Sequence, residues 1–184
     1  MFHPPQRLLV STLLTALIGA ASVSAATLEK LSVDEMSRKA TTIVRGRVTS
    51  CAAEAQGSLI LTRCRLQVSE YWKGTLADPS FVLPGGQYQG LVQTFTGTPT
   101  MVEGQEYVLF LWTGKSGKPQ VIGLSQGSFS LATDAKGGEA RVRRAASTEP
   151  MLDKNGIPVA DTPMDLSVSE LKTRVSRALG AARQ

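Results

Sequence analysis

The stretch CAAEAQGSLILTRC, residues 51–64, constrains this chain more than any other. It carries the only two cysteines of the 184-residue sequence, with Gly57-Ser58 near its middle. Gly followed by Ser suits a two-residue type II′ hairpin turn. With that turn, Gln56 faces Leu59, and position numbers of facing residues sum to 115 all along the hairpin; Cys51 and Cys64 obey the same sum. Gln56/Leu59 is then a hydrogen-bonded pair, and alternation outward puts the cysteines on a non-hydrogen-bonded pair. Such pairs hold Cα atoms about 4.5 Å apart, within reach of a disulfide. A metal pair is a weaker reading, because two thiolates do not fill a tetrahedral site and no histidine is near. Two buried free thiols are the other alternative, and an oxidising compartment decides against them.

The N-terminus points to such a compartment. Residues 1–25 open with Arg7, continue through an apolar run over residues 8–21 and end in Val23-Ser24-Ala25, which suits signal peptidase. The run is too short for a membrane span and no stop-transfer charge follows, so residues 1–25 read as a signal peptide and the mature protein as periplasmic or secreted. No later segment reads as a transmembrane span. Cleavage also removes His3, the only histidine. The mature chain then has no Ser-His or Cys-His pair, no His-ligated metal and no histidine base. These subtractions lead to the expectation of a non-enzymatic protein with no metal and no cofactor.

Along the mature chain, Ser32 and Glu35 form a capping box, and Leu31 and Met36 have staple spacing, so a short helix opens there. Residues 41–51 read as a strand. Val44 and Val48 share a parity that Cys51 lacks, which calls for a β-bulge between Val48 and Cys51. Residues 59–71 alternate strongly, residues 80–83 form a short strand, and residues 106–112 form the most apolar and most central one. Gly114-Lys115-Ser116-Gly117 turns the chain into a strand from Gln120 that runs on to Leu131. The connection over residues 84–104 is long, with a short edge strand possible over residues 91–95. Beyond Thr133, residues 134–138 and 153–156 read as turns and residues 141–145 as a basic edge strand. Ser167 and Glu170 form a second capping box, opening an amphipathic helix with Val168, Leu171, Val175 and Leu179 on one stripe. The fold class expected is mainly β: a small OB-like antiparallel barrel over residues 26–133, followed by residues 134–184 packing on the same domain.

The capped helix, the VRGRV strand, the long strand ending in YWKG and the Gly104-Gln105-Glu106-Tyr107 entry to EYVLFL resemble the inhibitory domain of tissue inhibitors of metalloproteinases and netrin-like modules. The resemblance covers roughly residues 28–131. It implies a protein-binding barrel whose partner is an exported protease, met by the N-terminus and neighbouring loops. The corresponding surface is Ala26, Thr27 and Leu28 with Gly85, Gly86, Gln87, Tyr88, Gln89 and Gly90. The chain departs from those inhibitors in lacking their N-terminal Cys-x-Cys, so zinc chelation would fall to the α-amine alone. Independently of the resemblance, the Gly-rich loop reads either as a recognition loop, with Tyr88 as an amphipathic contact, or as a plain barrel turn.

Other motifs are weaker. Gly114-Lys115-Ser116 lacks the first P-loop glycine, since Leu109 stands there. Ser169 and Lys172 spell Ser-x-x-Lys without its partner motifs. Glu103 and Glu106 leave a two-carboxylate enzyme as the alternative class of function, beside a Ser/Lys pair. With Arg7 gone, 19 of the 20 basic residues meet 15 acidic ones. Export disfavours nucleic acid, while that balance and the tight cluster Arg141, Arg143 and Arg144, read as a solvated edge strand, leave an acidic protein or envelope surface as partner.

Overall fold

The computed structural model describes residues 27–132 and 138–181. The segment expected to be a signal peptide, residues 1–25, lies outside the described residues, as do Ala26 and most of the turn expected at residues 134–138. The chain enters through β1 (Leu28–Glu29) and then α1 (Val33–Lys39). Ser32 caps α1 with a reciprocal capping box: its hydroxyl accepts from Glu35 N–H, and the Glu35 carboxylate accepts from Ser32 N–H at 2.8 Å. These bonds lower the Glu35 pKa.

Strands β2 (Thr42–Gln56) and β3 (Leu59–Lys73) form a hairpin of two fifteen-residue arms. Its register is the one the turn dictates: Gln56 faces Leu59, and Cys51 faces Cys64. Gly57 has φ 59, as the first position of a II′ turn requires. The pairing shifts by one between Val48 and Ser50, so Thr49 is the bulged residue that brings Val44, Val48 and Cys51 into agreement. Two further shifts bend β3 near Ser69 and Trp72.

Strand β4 (Ser80–Pro84) pairs with β3, and a small two-stranded ribbon follows, β5 (Gly86–Tyr88) and β6 (Leu91–Gln93). Strands β7 (Glu106–Thr113), β8 (Pro119–Val121) and β9 (Ser128–Ala132) come next. β7 pairs with β2 on one edge, while its other edge is divided: Leu111, Trp112 and Thr113 pair with β8, and Tyr107, Val108 and Leu109 with β9. Because β8 also meets β4, the order β7-β2-β3-β4-β8 closes into a five-stranded ring. The single strand expected from Gln120 to Leu131 is therefore two. The chain leaves β7 at Val121, makes an excursion over residues 123–127, and returns lower down.

β10 (Arg141–Arg144), β11 (Met151–Leu152), β12 (Pro158–Val159) and β13 (Met164–Ser167) complete the strands, and α2 (Val168–Ala181) ends the described chain. The basic strand β10 is not an edge. It lies between β9 and β13 in the large sheet, and β13 holds the edge instead. The cap of α2 also differs from expectation in one half. Ser167 Oγ accepts from Glu170 N–H at 3.0 Å, but the Glu170 carboxylate turns to Arg174 at 2.7 Å rather than back to the cap.

The apolar side chains form two cores on opposite faces of the sheet. Val44, Val48, Cys64, Leu66, Phe81, Tyr107, Leu109 and Leu111 fill the ring. Ile43, Val108, Phe110, Phe129, Leu131 and Val142 face outward against Val33 and Met36 of α1 and Leu171 and Val175 of α2. β7 is thus apolar on both faces because each face has a core to fill.

Candidate functional site

The site is built where the hairpin arm, the ribbon and the long connection meet. Cys51 and Cys64 are joined, with Cα atoms 4.1 Å apart; Cys64 is buried in the ring and Cys51 stands at its mouth. The Glu103 carboxylate accepts from Cys51 N–H at 2.8 Å, beside the bulge at Thr49. Val48 N–H and C=O bond the backbone of Gln105 and Gly104, so the end of the connection is strapped to β2.

The stretch read as a glycine-rich loop is the β5–β6 ribbon. Gly85 leaves β4 with φ 89, and a Cβ there would fall 2.6 Å from Gln93 O, so only glycine lets the two ends of the ribbon approach. Gly85 N–H donates to Ile60 O at 2.8 Å, and Thr62 Oγ1 donates to Gly85 O at 2.7 Å. Ile60 N–H donates to Gln93 Oε1 at 2.7 Å. These bonds fasten the base of the ribbon to β3. Its tip, Gln89-Gly90, has φ 47 and 80, the type I′ pattern that Asn-Gly usually supplies.

Beyond that base the ribbon projects. Leu91 is 68% exposed and Val92 69% exposed, although they are adjacent and point to opposite faces. Tyr88 is paired across from Leu91, and Leu59 is exposed at the neighbouring hairpin tip. Beside the ribbon base runs a cleft of about 330 Å3, with Cys51, Leu83, Phe95, Pro99 and Met101 in its walls. The arrangement offers apolar contact, open backbone and the uncharged amides of Gln87, Gln89 and Gln93. The sequence pointed to Tyr88 and the glycines but not to Leu91 and Val92, which are the large exposed apolar side chains of this ribbon. An adjacent apolar pair inside a Gly- and Gln-rich stretch was the available signal.

Of the N-terminal part of the expected surface, Ala26 lies outside the described residues and Leu28 belongs to another sheet. Leu28 pairs with Met151 in a small sheet of β1, β11 and β12, and Thr27 precedes it. Among the described residues, no strand pairing or hydrogen bond joins Thr27 or Leu28 to residues 85–90.

The other candidate groups have partners of their own. Glu106 accepts from Arg45 Nε at 2.7 Å and Ser69 Oγ at 3.3 Å, while Glu103 is held at Cys51. Lys172 reaches Glu70 on β3, whereas Ser169 Oγ lies 2.8 Å from Ser167 Oγ. The Lys172 ammonium and the Trp72 indole N–H hold the Glu70 carboxyl below its usual range. Within the basic cluster, Arg141 and Arg143 share Asp165, and Arg144 is buried against Asp161. Burial pushes the Asp161 carboxyl up, but the Arg144 guanidinium and the N–H groups of Ser147 and Thr162 outweigh it and bring the pKa down to about 2. Among the described residues, no three His, Cys, Asp or Glu side chains gather as a metal site would need, and no helix is long and apolar enough to cross a membrane.

Comparison with protein-family models, with curated proteins and with solved structures finds no match for this chain. The site must therefore be read from its own chemistry.

Proposed function

We propose that the protein is an exported, non-enzymatic binding module that engages a protein partner through the β5–β6 ribbon and the cleft beside it. One observation carries this reading: the adjacent, exposed Leu91 and Val92 stand on a ribbon whose base is fixed by three hydrogen bonds. Exposed apolar side chains on a held scaffold bind with little ordering cost, and aromatic residues such as Tyr88 strengthen contacts of that kind. The disulfide supports the exported part of the reading, since such bonds persist in oxidising compartments. In its narrower form the module is netrin-like and its partner an exported protease, with the ribbon tip entering the protease cleft.

A photo-crosslinking amino acid at position 91, compared with one at Ile157, tests the proposal. Ile157 is 57% exposed on the segment between β11 and β12, which belong to a different sheet from the ribbon. Incubated with the exported fraction of its own cell, the position-91 protein is expected to give a discrete protein adduct and the position-157 protein none. Equal labelling from both positions, or none from either, contradicts the reading. If the adduct is a protease, loss of its activity on binding supports the narrower form.

A further inference from the structure

The way the ribbon is left open specifies the kind of partner segment, on the assumption that the ribbon is the binding site. Tyr88 and Leu91 flank a two-residue turn, so they form a hydrogen-bonded pair. Gln87 and Val92 are consequently a non-hydrogen-bonded pair, and the N–H and C=O of Val92 point away from β5, out from the free edge. Thr94, just past the end of β6, has the same phase by sequence alternation, and its backbone forms no hydrogen bond among the described residues. Two residues of the same phase thus offer a donor and an acceptor each, at the spacing of an added strand.

Two other sheet edges among the described residues are less open to such addition. β12 contains Pro158, and β13 carries Asp165 clamped by Arg141 and Arg143 before running straight into α2. Proline and charge are the ordinary devices that keep an edge from pairing. β6 reads Leu-Val-Gln and has neither. It also has no neighbour covering its exposed side chains.

We infer that β6 is a strand-addition edge that takes an extended, uncharged peptide segment of the partner protein, with apolar side chains at alternate positions. The peptide pairs with Val92 and Thr94 and runs on past Gln93 into the cleft, where Leu83, Phe95 and Met101 receive one of its side chains. A second copy of this chain fits less well. Two three-residue strands paired with each other bury far less than the roughly 1,200 Å2 that a stable interface needs, whereas a longer peptide also fills the cleft.

The test uses an immobilised panel of hexapeptides with Val or Leu alternating with Thr or Gln, and the same peptides methylated at single backbone nitrogens. Strand addition is expected to give a period-two pattern: methylation at residues facing β6 weakens binding by about tenfold, and at alternate residues by less than about twofold. The bound peptide is expected to slow amide exchange at Val92 and Thr94 while leaving β7 unchanged. Val92→Pro, which removes one edge donor, is expected to abolish binding, and Val92→Thr to retain it. Because the methylated peptides leave the protein unaltered, the result does not depend on how the proline variant folds. Binding indifferent to methylation, or absence of binding by any peptide at millimolar concentration, overturns strand addition even if crosslinking from position 91 succeeds. A dimer in sedimentation that Val92→Pro dissolves overturns the choice of occupant in favour of a second copy.

Discussion

In β7, residues 107–111 lose almost all contact with water, whereas in β6 the adjacent pair Leu91 and Val92 keeps most of it. Both segments alternate across a strand, and both would place one face inward if a core were present on one side alone. β7 has a core on each face, the ring and the helix layer; β6 has neither, because its ribbon stands off the ring and is fixed only at its base. An apolar residue of β7 therefore reports on stability and, under the proposed function, one on the ribbon reports on recognition. The disulfide lies between the two regions, with Cys64 inside the ring and Cys51 in the wall of the cleft.

The largest effect is expected in β7. Phe110 is fully buried on the outward face of β7, its ring centroid 5.7 Å from that of Phe129. Phe110→Ala should cost about 4 kcal/mol in urea unfolding. A loss below about 1 kcal/mol would break the contrast between the strands. Next comes the bond that links the regions. Cys51→Ala/Cys64→Ala is expected to fold and to lose about 3 kcal/mol. Wild-type protein, denatured without reductant, should titrate no thiol; two titratable thiols would refute the bridge.

Acid should act on the large sheet and leave the ribbon alone. The Asp161 pKa is depressed from 3.8 to about 2 in the folded protein, so its contribution is complete above about pH 4 and is lost as pH falls through about 2. The contribution is about 2 kcal/mol. The stability gap between wild type and Asp161→Asn should narrow between pH 5 and pH 2 by about that amount; a gap of constant size would remove the assigned role. A smaller effect is expected at the ribbon tip, where Gln89 holds φ 47. Gln89→Gly relieves about 1 kcal/mol of local strain, seen as roughly fivefold slower exchange of the Leu91 amide with the global midpoint unmoved.

The parts legible in the sequence were those fixed by local chemistry. Gly57-Ser58 and the two cysteines set the register of the hairpin as far as Ser50 and Arg65. The parity of Val44, Val48 and Cys51 called for a bulge between Val48 and Cys51, which falls at Thr49, whereas the two shifts in β3 near Ser69 and Trp72 carried no such signal. Four of the five ring strands, β2, β3, β4 and β7, were also visible, since each carries its own alternating or apolar run, whereas three-residue β8 was merged with β9 into one strand. The missing pieces depend on distant partners. Leu28–Glu29 and Met164–Ser167 are too short to show a period, and they become strands because Met151 and Arg141 to Arg144 lie opposite them. Arg144 reads as one more surface cation until Asp161 is found beside it, 6% and 1% of their side chains being exposed. At the site, the glycines and Tyr88 were legible, but the Gln89-Gly90 turn was not, because glutamine seldom takes the first position of a type I′ turn.

The central claim is that Leu91 and Val92 serve recognition and contribute nothing to the fold. Leu91→Ser/Val92→Ser changes only exposed side chains, so its unfolding free energy should match wild type within about 0.5 kcal/mol. The decisive measurement is retention, by this variant, of the protein that crosslinks from position 91. Retention lowered at least about tenfold with the unfolding midpoint unchanged is the expected result. Undiminished retention, or a loss of stability comparable to that of Phe110→Ala, would contradict it.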